Sequence, residues 1–246
     1  MHNTRKFSTL FASIALIVGL SACAKAKDEQ VEPTKKVASE KAPAKTETTK
    51  NEAAKTMPAT DSGKILPGGS FADASGEYTI DSEHTQLVFS VSHLGASHQY
   101  GQFTKVAGSF SIDGKDIGKS KIKLEVPTGS VFTAAKKRDD HLRGPDFFDA
   151  KQFPKITFTS TEVTATGSNE YTVKGDLTLH GVTKNITIAL THGNSAADPE
   201  MMGGAFRTGF NGSFAINRSD FGLNYMPGAL GEKIKLLLAL EGTRNK

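Results

Sequence analysis

The stretch "KSKIKLEVPTGS", residues 119–130, alternates between apolar and polar side chains with a period of two. Ile122, Leu124 and Val126 share one face, and the residues between them are Lys or Glu. Successive side chains of an extended strand point to opposite faces, so the pattern predicts a β-strand with one buried and one wetted face. A helix would instead need apolar residues three and four positions apart.

The same alternation recurs along the rest of residues 76–246, and most segments end in Gly, Asn or Asp turn signals. The further segments are "TQLVFSVSHLG" (85–95), "KVAGSFSIDG" (105–114), "KITFTSTEVTATG" (155–167), "EYTVKGDLTLHG" (170–181), "KNITIALTHG" (184–193), "GAFRTGFNGSFAIN" (204–217) and "EKIKLLLALEG" (232–242). The pattern predicts an all-β domain with at least eight strands. Periodicity leaves both a two-sheet sandwich and a closed antiparallel barrel open.

One segment interrupts the strand series with dense charge and paired phenylalanines: "RDDHLRGPDFFDAKQFP", residues 138–154. We expect a short helix from Thr133, as its N-cap, through His141. The Gly144-Pro145 pair would end that helix, and one more turn would follow after Asp146. The charges are of both signs within one or two turns, which favours local pairing at a structural corner of the domain.

The N-terminal residues read as a targeting segment. Arg5 and Lys6 precede an apolar stretch of signal-peptide length, shorter than a membrane-spanning helix needs. The stretch ends in Leu20-Ser21-Ala22-Cys23, which resembles the lipobox of bacterial lipoproteins, and Cys23 is the only cysteine of the chain. The interpretation is a lipoprotein signal peptide over 1–22 and lipidation of Cys23; an ordinary secretory signal is the alternative. We therefore expect an exported protein that is lipid-anchored to the cell envelope. Because Ala24 and not aspartate follows Cys23, we expect the anchor to lie in the outer membrane, with the protein facing the periplasm.

Residues 23–75 are rich in Lys, Glu, Ala, Thr and Pro and almost lack large apolar residues. Such a composition predicts a disordered tether that starts at the lipidated cysteine. The net charge of +4 is too small to argue for a nucleic-acid partner. The expected organisation is therefore signal peptide 1–22, tether 23–75 and one folded domain 76–246.

Several strings of the folded domain resemble, in order, the YceI-like family of exported lipid-binding proteins. They are "YTIDSEHTQLVFSVSHLG" (78–95), "GQFTKVAGSFSID" (101–113), "RDDHLRGPDFFDAKQFPKITFTS" (138–160), "VKGDLTLHGVTKNITIAL" (173–190) and "INRSDFGLNYMPGALGEKIKLLLALEG" (216–242). The resemblance implies an eight-stranded antiparallel barrel of lipocalin-like shape, with a short helical excursion at one end. It also implies an apolar channel for a long isoprenoid chain, such as a polyprenyl phosphate or a quinone tail.

Alternate positions of a strand share one face, so the parity of a position (odd or even within its strand) predicts which side chains would line that channel. The candidates are Phe89, Val91, His93, Phe110, Ile122, Leu124, Phe158, Leu177, Ile188, Phe214, Leu236 and Leu238. A phosphate head group would need cations at one end, and the candidates are Arg138, Arg143 and Arg218. A salt bridge to a neighbouring aspartate is the simpler role for each arginine. A satisfied core histidine is likewise the simpler role for His93.

Other chemistries find little support in the sequence. The histidines form no HxH or HExxH pair, and cysteine ligands are lacking, so no metal or other cofactor is expected. No G-x-S-x-G elbow is present, and the aspartates near residue 140 lie among cations, so no enzymatic activity is expected. The alternative to a lipid container is an envelope stress or interaction lipoprotein whose barrel is filled by its own side chains. A homodimer is left open.

Overall fold

The computed structural model describes residues 74–244, and these form strands joined by short connections. The strands are β1 (Gly76–Ile80), β2 (Gln86–His93), β3 (Ser97–Phe103), β4 (Ala107–Ile112), β5 (Lys121–Pro127), β6 (Val131–Phe132), β7 (Lys155–Ala165), β8 (Glu170–Leu179), β9 (Val182–Ala197), β10 (Phe206–Asn217) and β11 (Lys233–Arg244). The α-helix is α1 (Lys136–Leu142). Short 3₁₀ turns cover Ile117–Lys119, Thr128–Ser130, Glu200–Met202 and Arg218–Phe221.

Eight of these strands close into an antiparallel barrel. The hydrogen-bonded order is β1-β4-β5-β7-β8-β9-β10-β11, and β1 pairs with β11 to complete the ring. This confirms the predicted fold class and decides between the sandwich and the barrel. Closure leaves no free sheet edge along this ring, which a sandwich would have had to protect.

The three remaining strands build the wall at one end of the barrel. β11 pairs with β1 near its C-terminus and with β2 nearer its start, so β1 and β2 lie one after the other along the same strand. β3 pairs with β2 and with β6, and β6 follows β5 after one 3₁₀ turn. We call the end built by β2, β3, β6 and α1 the cavity end, and the end built by β1 and the C-terminus of β11 the packed end.

The predicted alternation is the alternation observed. On β5, Ile122, Leu124 and Val126 are buried and Lys121 and Lys123 are exposed. The same rule holds along β8 and β11, whose inward side chains belong to one continuous apolar core. The barrel is therefore held together mainly by burial of one face of every strand.

The helical excursion differs in detail from the prediction. α1 begins after Ala135, not at Thr133, and no side chain caps its N-terminus. Thr133 is instead the partner of a carboxylate inside the helix, Asp139. The segment after Asp146 forms turns and not a second helical turn, because it carries its own backbone hydrogen bonds from Phe147 and Phe148 back to residues 142 and 144.

The predicted signal peptide, Cys23 and almost all of the tether lie outside the described residues, so these interpretations stay predictions. Within residues 74–244, no helix has the length and apolar character required to cross a bilayer.

Candidate functional site

A cavity of about 410 Å³ occupies the cavity end of the barrel. It reaches the surface beside exposed residues of β3, α1 and the connection between β10 and β11. Its lining is mostly aliphatic and aromatic: Leu87, Phe89, Val91, His93, Gln99, Tyr100, Phe103, Thr133, Arg138, His141, Leu142, Phe147, Phe148, Ile156, Leu177, Leu179, Phe214, Ile216, Arg218, Leu223, Met226, Leu230, Ile234 and Leu236. A concave apolar site with a few polar groups at one end is what a small-molecule pocket requires.

Half of the predicted channel residues line this cavity. They are Phe89, Val91, His93, Leu177, Phe214 and Leu236. The other six point into the barrel but lie deeper, around two small voids of about 40 and 20 Å³: Leu124, Phe158, Ile188 and Leu238 at the first, and Phe110 and Ile122 at the second. Parity placed all twelve on the inner face, and contact with a ligand stays a prediction for each.

Aromatic rings fill the packed end and leave little free volume there. The rings of Tyr78 and Phe110 stack with centroids 4.9 Å apart, and Phe210 packs edge-on against Phe110 at 5.7 Å and against Tyr171 at 6.2 Å. Tyr78 and Phe110 are also almost completely buried. The predicted channel therefore ends about halfway along the barrel, because side-chain volume and not strand parity sets its depth.

The cap over the cavity end is formed by α1 and the turns that follow it. Leu142, Phe147 and Phe148 turn inward, and the Phe148 ring contacts the Phe103 ring of β3 at 5.5 Å. Asp139 is buried and accepts hydrogen bonds from Thr133, which fixes the start of α1 to the wall. The predicted structural corner is thus also the cover of the cavity.

Arg138 lies at the cavity without a carboxylate partner among the described residues. Its Nε donates to the Thr133 hydroxyl at 2.8 Å, its Nη2 to the Thr133 carbonyl at 2.7 Å and its Nη1 to Gln99 Oε1 at 3.0 Å. The expected salt bridge is therefore wrong for Arg138. All three acceptors are neutral, and the Asp139 carboxylate is reached only through the shared Thr133 hydroxyl. Two N–H groups of Arg138 are left for another acceptor.

Arg218 also lines the cavity and is only 6% exposed. Its guanidinium donates to four backbone carbonyls, those of Leu223, Tyr225, Leu230 and Gly231. No carboxylate of the described chain pairs with it, so the expected salt bridge is wrong here too. The direct partners of this buried cation are backbone dipoles, and Glu232 is a charged group that interacts with it without a direct bond.

Arg143 is the exception among the three predicted cations. It forms the expected salt bridge, to Asp140 at 3.1 Å, and it donates to the carbonyls of Gly129 and Val131. It does not line the cavity. The sequence did not show which of the two arginines pairs with an aspartate and which lines the cavity, because Arg138 and Arg143 lie five residues apart in the same short segment.

Two histidines contribute to the same end. His93 lines the cavity wall at the end of β2, as parity predicted. His141, which the sequence placed only among local charges, bonds Asp146 at 2.9 Å and packs edge-on against the rings of Phe147 and Tyr225. Sequence reasoning also missed Gln99, Leu223, Met226 and Leu230, most of which sit in connections that carry no periodic signal.

A separate polar cluster lies on the wall toward the packed end. The Arg207 guanidinium bonds Asp198 in a bidentate way at 3.0 Å and also reaches Asp81 and Glu241. Burial would raise the pKa of Asp81, but hydrogen bonds from Arg207 and His84 hold it at about 2. Asp81, His84 and Glu241 are close enough together to hold a metal ion, yet Arg207 already occupies both carboxylates. The cluster is thus arranged as an ion-pair network that joins β10 and β11 to the β1–β2 connection.

Comparison with known proteins places this geometry in context. A model of the YceI-like domain matches residues 78–242. A UPF0312 protein of Pseudomonas savastanoi pv. phaseolicola is 41% identical over 172 residues, which is 69% of this chain and 88% of that protein. A UPF0312 protein of Azotobacter vinelandii is 37% identical over 192 residues, covering 77% of this chain and 98% of that protein.

Solved structures show the same architecture. The YCEI protein of Campylobacter jejuni is 28% identical with a TM-score of 0.56, covering 63% of this chain and 90% of that one. A polyisoprenoid binding domain from Saccharophagus degradans is 18% identical with a TM-score of 0.53, covering 68% of this chain and 97% of that one. The similarity to the second structure concerns the fold alone.

Proposed function

Since this chain belongs to the YceI-like family, we propose that it binds a long isoprenoid-type lipid in the cavity of its barrel and stores or transfers it. The cargo we propose is a polyprenyl phosphate or a lipid with a quinone head. The solved Saccharophagus degradans domain with this fold is described as polyisoprenoid binding, which agrees with the proposal. No covalent step is part of it.

The observation that carries the proposal is the apolar cavity of about 410 Å³. A cavity of roughly 150 Å³ accommodates benzene, so this one has room for a tail of about fifteen carbons, or three isoprene units. Burial stabilises such a tail by roughly 0.8 kcal/mol per methylene, before the entropy lost by the tail is subtracted. The remainder of a longer tail would leave through the opening or displace side chains below.

Two arginine side chains in the lining of the cavity suit the polar head of such a lipid. Arg138 keeps two N–H groups without a partner among the described residues, and Arg218 is a second, buried cation. A guanidinium binds phosphate oxygens in a bidentate way and also donates to a quinone carbonyl. Both head-group classes therefore fit the same end of the cavity.

The remaining parts of the proposal concern location. We place the domain at the cell envelope, held by acylation of Cys23 and facing the periplasm from the outer membrane. The motif at residues 20–23 supports this part. The open volume at the cavity end weighs against the alternative of a fully side-chain-filled interaction lipoprotein, and a homodimer stays a prediction.

Native mass spectrometry tests the binding function. The chain from residue 23 onward, with Cys23→Ser and with a cleavable secretory signal in place of residues 1–22, is purified from its own host without detergent. We expect a stoichiometric extra mass that organic solvent removes and that fragments as an isoprenoid. A bare protein mass, with no uptake of added quinone or polyprenyl phosphate, would contradict the proposal.

A further inference from the structure

Exposed apolar side chains gather around the opening of the cavity. Leu94 and Tyr100 are each 65% exposed, Met226 is 41% exposed and Tyr225 is 38% exposed. We call these four residues the rim. Tyr100 and Met226 belong to the cavity lining, and the Tyr225 ring packs on His141 of the cap at 5.3 Å.

The rim is one continuous surface because its two loops are bonded together. The Leu94 amide donates to the carbonyl of Ala229 at 2.7 Å, and Gly231 donates to Ser92 at 2.8 Å. His93 and Leu230 form an isolated β-bridge beside these bonds. The hairpin tip between β2 and β3 is therefore fixed against the connection between β10 and β11.

The rim loops carry no ionised side chain of Asp, Glu, Lys or Arg. Residues 93–100 read "HLGASHQY" and residues 225–231 read "YMPGALG". These fifteen positions lack formally charged residues in a chain that is 23% charged, and each loop has a tyrosine at one end, Tyr100 and Tyr225. Tyrosine is enriched where protein meets the interface of a bilayer, since its ring is apolar and its hydroxyl is polar.

Two residues of the rim have a strained backbone conformation. Leu94 has a φ of 54° and Met226 a φ of 51°, in the left-handed region that large side chains rarely adopt. Glycine or asparagine would suit both positions better for stability. Strained residues that expose bulky apolar groups at a site opening point to a contact that uses those groups.

The chain preceding the barrel enters at the opposite end. Ala74 accepts a hydrogen bond from the Tyr78 hydroxyl, and Tyr78 also bonds Arg244 at the end of β11. The 12 residues of β11 span about 40 Å. A chain of 50 residues, such as 24–73, spans at most about 180 Å, so a lipid anchor at Cys23 does not prevent the rim from meeting the same bilayer.

We propose that the rim docks on a lipid bilayer, with Leu94, Tyr100, Tyr225 and Met226 inserted among the head groups, so that cargo passes between bilayer and cavity without crossing water. The proposal rests on the proposed function, because an insoluble tail needs such a route. The occupant is a bilayer, since two tyrosine-bordered loops without Asp, Glu, Lys or Arg beside an apolar opening match a lipid interface more closely than a charged partner.

Vesicle binding tests the proposal with the Cys23→Ser chain that lacks residues 1–22, so that no apolar signal segment contributes, and with vesicles of phosphatidylethanolamine and phosphatidylglycerol. The double variant Leu94→Asn/Met226→Asn removes the apolar groups and places at both positions a residue that tolerates the left-handed backbone. Leu237→Asn is the matched control, because Leu237 is 55% exposed on the outer wall away from the rim. We expect co-sedimentation to fall about tenfold for the double variant and to stay unchanged for the control.

A second reporter uses the absence of tryptophan from the chain. Tyr100→Trp and Leu237→Trp each introduce one tryptophan, at the rim and on the outer wall. We expect vesicles to shift the emission of Tyr100→Trp to the blue and to leave Leu237→Trp unchanged. Unchanged emission from both, or equal sedimentation of all variants, would overturn the docking proposal.

Two further outcomes distinguish docking of the rim on a bilayer from self-association of the chain and from failure of the proposed function. A blue shift of Tyr100→Trp that grows with protein concentration and needs no vesicles would overturn the proposal in favour of a second copy of the chain at the rim. A different result is that the double variant loses vesicle binding while native mass spectrometry finds no cargo in any form of the chain. That pair of results would support docking by the rim and refute the proposed function.

Discussion

The buried carboxylate of Asp139 accepts two hydrogen bonds from Thr133, from the backbone N–H at 2.8 Å and from the hydroxyl at 2.5 Å. The same hydroxyl accepts from Arg138 Nε at 2.8 Å. The wall, the cap and the cavity cation are thus joined through one threonine. Loss of the carboxylate would leave a buried N–H without a partner and would loosen the cover of the cavity.

Asp139→Ala should lower the free energy of unfolding by about 2 kcal/mol, because the Thr133 donors lose their acceptor. Asp139→Asn should cost less, since its amide oxygen still accepts both bonds. Urea denaturation of the full chain measures the difference. Equal losses in both variants would show that charge, and not hydrogen bonding, holds the cap.

Leu236 and Leu237 are neighbours on β11 with opposite faces. Leu236 is buried in the cavity wall, and Leu237 is exposed on the outer wall. Leu236→Asp should abolish cargo loading, because a charge in the apolar wall is costly, whereas Leu237→Asp should load like the wild type. Native mass spectrometry measures the cargo bound to each variant, after circular dichroism has shown that the variant is folded.

Arg138→Gln should weaken binding of a polyprenyl phosphate about tenfold and change binding of an uncharged quinone less, since only the phosphate needs the cation. Arg143→Gln is the matched control, because Arg143 is bonded to Asp140 and to backbone outside the cavity. Titration calorimetry with both ligands measures the effect. Equal weakening by both variants would place the head group elsewhere.

Phe158 stands at the deep boundary of the cavity. Its ring lies across Gly175, where an added Cβ would come within 2.4 Å of it, and it borders the void of about 40 Å³ below. Phe158→Leu should let a longer tail descend, and the preferred tail should lengthen by about one isoprene unit. Phe110→Leu, deeper in the aromatic stack, should leave tail preference unchanged in competition binding of isoprenoids of graded length.

His192 is buried at the packed end with the hydroxyls of Ser195 and Thr208, and burial lowers its pKa below the ordinary 6.5. As pH falls below about 6.5, the unfolded chain binds a proton that the folded chain does not. The free energy of unfolding should therefore decline from that pH down toward the lowered folded pKa. His192→Gln should show a shallower decline in denaturation curves at a series of pH values.

A second histidine, His84, changes stability with pH in the opposite direction, and the comparison of the two chains removes its effect. The hydrogen bond that His84 donates to the Asp81 carboxylate raises the pKa of His84, which adds stability as pH falls. His84 is present in both chains, so its contribution cancels in the difference. Parallel curves for the wild type and His192→Gln would mean that His192 does not titrate differently in the two states.

The strand pattern made the all-β fold predictable, because burial on one face leaves a period-two record in the sequence. Closure was not predictable from alternation, since it depends on the pairing of the first strand, β1, with the last, β11. The prediction of a closed barrel came from the resemblance to the YceI-like family. The extent of β9, which runs to Ala197 through an irregularity opposite β10, was also beyond the pattern.

The site was predictable only in part. Parity placed Phe89 and Leu236 on the cavity wall, but it placed Phe110 on the same face with equal weight. Free volume depends on how side chains from all strands meet, which no single segment records. The arginine partners were missed for a similar reason, because the backbone carbonyls that hold Arg218 belong to residues 223–231, brought together only by the folded loop.

The division of the barrel into an aromatic, packed end and a hollow end has an evolutionary consequence. Substitutions at the hollow end act on side chains that face free volume. Four of the seven buried Phe and Tyr side chains of the described residues pack on one another at the other end: Tyr78, Phe110, Tyr171 and Phe210. Cargo preference can therefore drift among relatives while the fold keeps its stability reserve. The same separation makes the hollow end a place where new ligands can be engineered without redesigning the barrel.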